Sequence, residues 1–208
     1  MNPGRAFLLS AVAILALAPS APGAAVAEDG EASRGATREL RAGERLMFRG
    51  YSVRLPQGGQ WQVLPPGVFD VGLLAARSRT HSFGMTASAM RVERPFATPL
   101  EFLDFMRGRL HAEPDPRRFS DVEIHAALQP TIAPLCVQAR SKARDHAAGG
   151  AGPYLVLEIW NLTCVHPASP RLAESVVYYE RYAPGETPGA LRAHGRRFVE
   201  SLRFETLL

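Results

Sequence analysis

Residues 136–164 read CVQARSKARDHAAGGAGPYLVLEIWNLTC, and the chain's only two cysteines, Cys136 and Cys164, are the ends of this stretch. They lie symmetrically about Gly150, the centre of Ala148-Gly149-Gly150-Ala151-Gly152. If the flanking segments pair antiparallel about that glycine-rich loop, Cys136 faces Cys164 directly. Opposed residues at a non-hydrogen-bonded site lie about 4.5 Å apart at Cα, within reach of a disulfide. The same register sets Lys142 against Glu158, an opposite-charge pair, and Arg140 against Trp160, a cation–π pair. Val137, Ala139, Ser141 and Ala143 then meet Thr163, Asn161, Ile159 and Leu157 on a small apolar face expected to look inward. Gln138, Arg140, Lys142 and Arg144 are expected to look outward. A one-residue slip would mix the two faces, so the pattern predicts this register and a disulfide that clamps the hairpin.

Upstream of the hairpin the chain alternates like an antiparallel sheet. Leu46, Phe48, Tyr51, Val53 and Leu55 signal a strand interrupted at Gly50. Trp61 to Leu64 form a short strand between turns, and Phe69–Ser78 and Ser82–Val92 form a hairpin. A helix follows: Thr98 is its N-cap, Pro99 sits at N1 and Glu101 completes a T-x-x-E capping box. Leu103, Met106 and Leu110 fall on one side, and Leu100, Phe102 and Phe105 widen the apolar stripe. Arg118–Leu128 reads as a weaker strand. Downstream, Tyr178, Tyr179, Arg181 and Tyr182 mark an aromatic strand. A last helix runs over roughly Thr187–Leu202, with Leu191, Gly195, Phe198 and Leu202 on one side. Gly195 would let it pack closely on the sheet. The expected fold is α+β: a mainly antiparallel sheet of about six or seven strands with two principal helices on it.

The N-terminus points to export. Arg5 precedes an uncharged apolar run from Ala6 to Ala18, and Ala25-Val26-Ala27 gives a small-residue cleavage site. The run is shorter than the roughly 17–25 residues of a spanning helix. Residues 1–27 are therefore expected to be a signal peptide, residues 28–44 a flexible leader and residues 45–208 one domain, periplasmic or secreted. No transmembrane segment is expected after cleavage. An oxidising compartment suits the disulfide. A redox-active pair needs closer spacing such as C-x-x-C, so the bridge reads as structural.

Composition narrows function mainly by exclusion. The formal charge is +4, and of the 24 basic residues only Lys142 is lysine. The arginines are scattered among acids, unlike a nucleic-acid footprint. No G-x-S-x-G, H-E-x-x-H or phosphate loop occurs. His81, His111, His125, His146, His166 and His194 are dispersed, with no metal-ligand spacing, and neither metal nor cofactor is expected. Asn161-Leu162-Thr163 matches a glycosylation acceptor, but the register turns Asn161 toward the apolar face. Trp160, Tyr178, Arg181 and Tyr182 are the candidate partner-binding residues, since aromatics and arginine often anchor partners. Ordinary strand propensity explains them equally well.

Several elements together resemble the PsbP-like α/β/α superfamily over roughly residues 45–208. They are the strand-to-tryptophan unit from Tyr51 to Trp61, the two hairpin strands, and the T-x-x-E-F-L helix start at Thr98–Leu103. Three further strands follow, then a final helix closing on Ser201-Leu202-Arg203-Phe204. The cysteine pair lies outside that pattern. The resemblance implies an assembly or interaction module and transfers no functional residue. Two functions are therefore expected to compete. One is an exported envelope accessory or binding module without catalysis, its partner an envelope protein or small ligand. The other is a periplasmic hydrolase or other enzyme with a site assembled from distant residues, which would show His or carboxylate side chains converging in one deep pocket.

Overall fold

The computed structural model describes residues 40–57, 61–65, 69–78, 80–147, 154–186 and 191–207. The expected signal peptide, most of the expected leader and the centre of the glycine-rich loop lie outside these residues.

Among the described residues, ten strands and two helices make an α+β fold in two sheets. The large sheet contains β3 (Gln62–Val63), β4 (Val71–Ala76), β5 (Ser82–Arg91), β6 (Phe119–Leu128), β7 (Cys136–Asp145), β8 (Leu155–Val165) and β9 (Leu172–Tyr182), in the order β3-β4-β5-β9-β8-β7-β6, antiparallel throughout. The small one is β1 (Arg45–Met47), β2 (Tyr51–Arg54) and β10 (Arg203–Phe204), in the order β1-β2-β10. The interrupted strand at Gly50 is thus a hairpin. Gly50 has φ 86°, a left-handed conformation that glycine adopts without the Cβ penalty. Leu46 pairs with Val53 across the hairpin. The expectation of a single sheet missed this second layer, because its third strand comes from the far end of the chain.

The hairpin register holds pair for pair. Cys136 faces Cys164, Lys142 faces Glu158 and Arg140 faces Trp160. The cysteines are bonded, with their Cα atoms 4.0 Å apart. What the sequence reading misjudged is which face is the core. Cys136, Cys164, Leu162, Val176, Tyr178, Phe83 and Met85 belong to the main core cluster, together with Tyr51 and Val53 of the small sheet and Phe198 and Val199 of α2 (Leu191–Val199). These strand residues share the face of Arg140 and Lys142, which was expected to look outward. Along β7 this face is buried at Cys136 and exposed at Arg140, Lys142 and Arg144.

The opposite face carries α1 (Pro99–Ala112) at one end. Phe102, Leu103 and Met106 pack there against Val137, Val165 and Ala173. Thr98 Oγ1 accepts from the Glu101 N–H at 3.1 Å, and the Glu101 carboxylate in turn accepts from the Ala97 N–H at 2.7 Å and, more weakly, from the Thr98 N–H. The apolar stripe is narrower than expected. Leu100 is 64% exposed, and Phe105 lies half-exposed against Phe96, its ring centroid 5.0 Å away. No helix among the described residues is long and apolar enough to cross a membrane.

Candidate functional site

Two places concentrate chemistry, one on each face of the large sheet. On the α2 face, strand alternation aligns Tyr178, Glu180 and Tyr182 of β9. Trp160 of β8 lies opposite Tyr178, and Glu158 opposite Glu180. The Tyr178 hydroxyl donates to Glu180 Oε2 at 2.6 Å, and the Tyr182 hydroxyl to Glu158 Oε1 at 2.8 Å. His81 Nε2 lies 2.8 Å from Glu180 Oε1, and the Arg192 guanidinium of α2 pairs with Glu158 Oε2. Burial and the neighbouring Glu180 raise both phenols above their ordinary range. They remain protonated hydrogen-bond donors to the carboxylates.

This cluster is closed. Glu180 is fully buried, Tyr178 is 1% exposed, and Tyr182 and His81 are also buried. Gly195 of α2 sits directly on the Tyr178 ring: a Cβ there would lie 2.1 Å from Cδ2. His and carboxylate groups therefore do converge, but in packed interior. The arrangement ties α2, β8 and β9 together around the buried Tyr178 and Glu180.

The sequence-selected residues divide accordingly. Trp160 is half-buried, edge-on to Tyr178 with ring centroids 6.4 Å apart, and the Arg140 guanidinium lies 4.6 Å above its ring. Tyr178 and Tyr182 turn their hydroxyls to carboxylates rather than to solvent. Arg181, one step off the alternation, points to the other face and ion-pairs with the fully buried Asp145 at 3.2 Å. Arg118 also holds Asp145, through two hydrogen bonds of 2.8 and 2.9 Å. The four residues therefore share no exposed patch. Sequence reading missed Glu158, Glu180, His81 and Arg192 as their partners. The signal was the Tyr178-x-Glu180-x-Tyr182 alternation, but a carboxylate buried on a sheet face is recognisable only once its cover is known.

The second place is an open apolar groove on the α1 face, beyond the end of the helix. Leu157, Ile159, Ala143 and Tyr179 form its floor, Phe119, Val122 and Ile124 of β6 one side, and Leu110, Glu113 and Pro114 the rim. Its cavity volume is about 70 Å³, the space of roughly five water-sized spheres. That is the scale of one alkyl branch or one ring. Burial pushes the Tyr179 phenol up to about 12, so it too stays neutral. Asn161 and Ser141 supply polar points on the floor. Asn161 is buried and accepts from Thr163 Oγ1 at 2.8 Å, in the interior rather than exposed as a glycosylation acceptor would be. No His lines the groove. Among the described residues no group of three or more His, Cys, Asp or Glu is placed to hold a metal.

No protein-family model matches the chain. No curated protein matches it either. Among solved structures, a protein of Bacteroides thetaiotaomicron VPI-5482 is similar over 80% of this chain at 14% identity, with a TM-score of 0.39. The chain spans about half of that protein's length.

Proposed function

We propose that this is an exported envelope accessory or binding module that works without catalysis, and that its apolar groove takes an alkyl or aromatic group of a small ligand or envelope partner. The observation that carries this reading is the separation of the two places. Tyr178, Glu180, Tyr182 and His81 sit in packed core, whereas the groove on the opposite face is open and apolar. Ligand sites are typically concave and mainly apolar, with a few polar groups that orient the ligand. Asn161 and Ser141 fill that role here. Export rests on the N-terminal pattern and is supported by the disulfide, which persists in oxidising compartments. A helix on each face of the large sheet suits the PsbP-like resemblance, and with it an interaction role.

The test is titration with N-phenyl-1-naphthylamine, a neutral apolar fluorophore. Emission should rise saturably with the wild-type protein. Ala143→Leu, which fills the floor with a compatible apolar side chain, should weaken binding at least tenfold while the thermal melt stays cooperative. No saturable signal with wild type, or equal affinity in Ala143→Leu, would sink the groove as a ligand site.

A further inference from the structure

β6 ends the large sheet, and among the described residues no strand lies along its outer side. Its backbone orientation follows from one hydrogen bond. The Gln129 N–H donates to Cys136 O at 2.8 Å. Odd-numbered residues of this stretch therefore turn their amides and carbonyls toward β7, and Ile124, Ala126 and Leu128 turn theirs away. The Ala126 carbonyl accordingly meets a donor from outside the sheet, the Arg107 guanidinium of α1, at 3.3 Å. An edge presenting its polar groups outward is a template for another strand.

The space beside that edge is a trough of about 440 Å³. Arg107 and His111 wall it from α1, Ile124–Ala127 form its floor, and Gln138 and Arg140 close the other side. Both guanidiniums are permanent cations. The nearest acid to Arg107 is Asp104 at 3.6 Å, a pair with both side chains more than half exposed, and therefore weak. Glu123 lies at the far end, opposite Lys142.

From this geometry we infer that the trough binds an extended acidic peptide, which adds as a further strand along Ile124–Ala127. Main-chain hydrogen bonds of the added strand supply affinity, and alternate side chains supply specificity. Side chains level with Ile124 and Ala126 point toward Arg107 and His111. Those level with His125 and Ala127 point toward Arg140 and Gln138. Carboxylates thus find a cation on either face, and lysines find repulsion. The peptide's N–H replaces Arg107 on the Ala126 carbonyl and frees that guanidinium for a bidentate carboxylate contact. A second copy of β6 suits the trough less well, because it brings a second Arg107, His111 and Arg140 to the same seam. The site is separate from the apolar groove, with which it shares Ile124.

The experiment uses fluorescence anisotropy of the mature protein with an end-blocked ten-residue Glu-Thr repeat and its Lys-Thr counterpart, at low salt. The Glu-Thr peptide should bind and the Lys-Thr peptide should not. Methylation of alternate backbone nitrogens in the Glu-Thr peptide, which leaves its charge intact, should cost at least tenfold. The double variant Arg107→Glu, Arg140→Glu should lose at least tenfold while keeping naphthylamine binding in the groove, which shows that the fold and the groove survive. Equal binding of both peptides, or indifference to N-methylation, overturns the proposal. So does a dimer by light scattering that vanishes in Ile124→Pro and takes up no peptide, since the edge then belongs to a second copy.

Discussion

Glu174 places a carboxyl in the interior of the sheet. It lies on β9 opposite Cys164 on one side and Ala89 on the other, fully buried, and among the described residues no other residue hydrogen-bonds either carboxyl oxygen. Burial pushes the carboxyl from its usual 4.5 up to about 8, against the pull of its own backbone N–H. The native state therefore keeps a proton that the unfolded chain releases. Stability from this group is greatest below about pH 4.5, falls as pH rises to about 8, and levels off beyond. Glu174→Gln keeps the shape and removes the titration. Its melting temperature should match wild type near pH 5 and exceed it by several degrees at pH 8. A pH-independent difference in melting temperature would refute the burial argument. Asp145 is the counter-example, a carboxylate equally buried but held by Arg118 and Arg181. Neither environment is legible in the sequence, because the partners sit dozens of residues away.

Among the elements, the register of the cysteine hairpin was readable although its buried face was not, and α2 was readable only partly. Pairing about a local loop depends on residues close in sequence, so charge pairs and alternation reveal it. The disulfide closes a loop with a sequence separation of 28, for which chain entropy gives roughly 3–4 kcal/mol. Strand pairing already restrains that loop, so the double variant Cys136→Ala, Cys164→Ala should fold and lose somewhat less than this in urea titration. A loss above that range would point to packing damage in the core cluster instead. For α2, Gly195 did mark a close approach, as its spacing suggested. Gly195→Ala should cost about 1–3 kcal/mol or more through overpacking, visible as an earlier unfolding midpoint. An unchanged midpoint would mean that α2 shifts off Tyr178 without penalty.

For the whole molecule, the N-terminal pattern gives export and cleavage after Ala27 as expectations. Expression in a bacterium with an envelope should yield a protein whose N-terminal sequencing starts at Glu28, with no thiol alkylated until it is reduced. An intact Met1 together with two alkylatable cysteines would remove both the compartment and the oxidising environment on which the proposed role rests. The absence of catalytic motifs was equally readable, and it steered attention to aromatic residues as surface anchors. Folding places them differently: Tyr178 and Tyr182 serve the interior, and among the described residues the apolar groove and the trough beside β6 are open.

By itself the sequence determined most strands of the large sheet, the hairpin register, the disulfide and the start of α1. These depend on alternation, caps and turns that act within a few residues or about one local symmetry centre. Only the tertiary structure decided which face of the sheet became the core. Residues 45–54 and 203–204 come from opposite ends of the chain to form the small sheet, and together with α2 they cover the face that carries the cysteines. Burial is a property of that long-range cover. Periodicity identifies which residues share a face, but the packing of distant segments determines which face is kept dry.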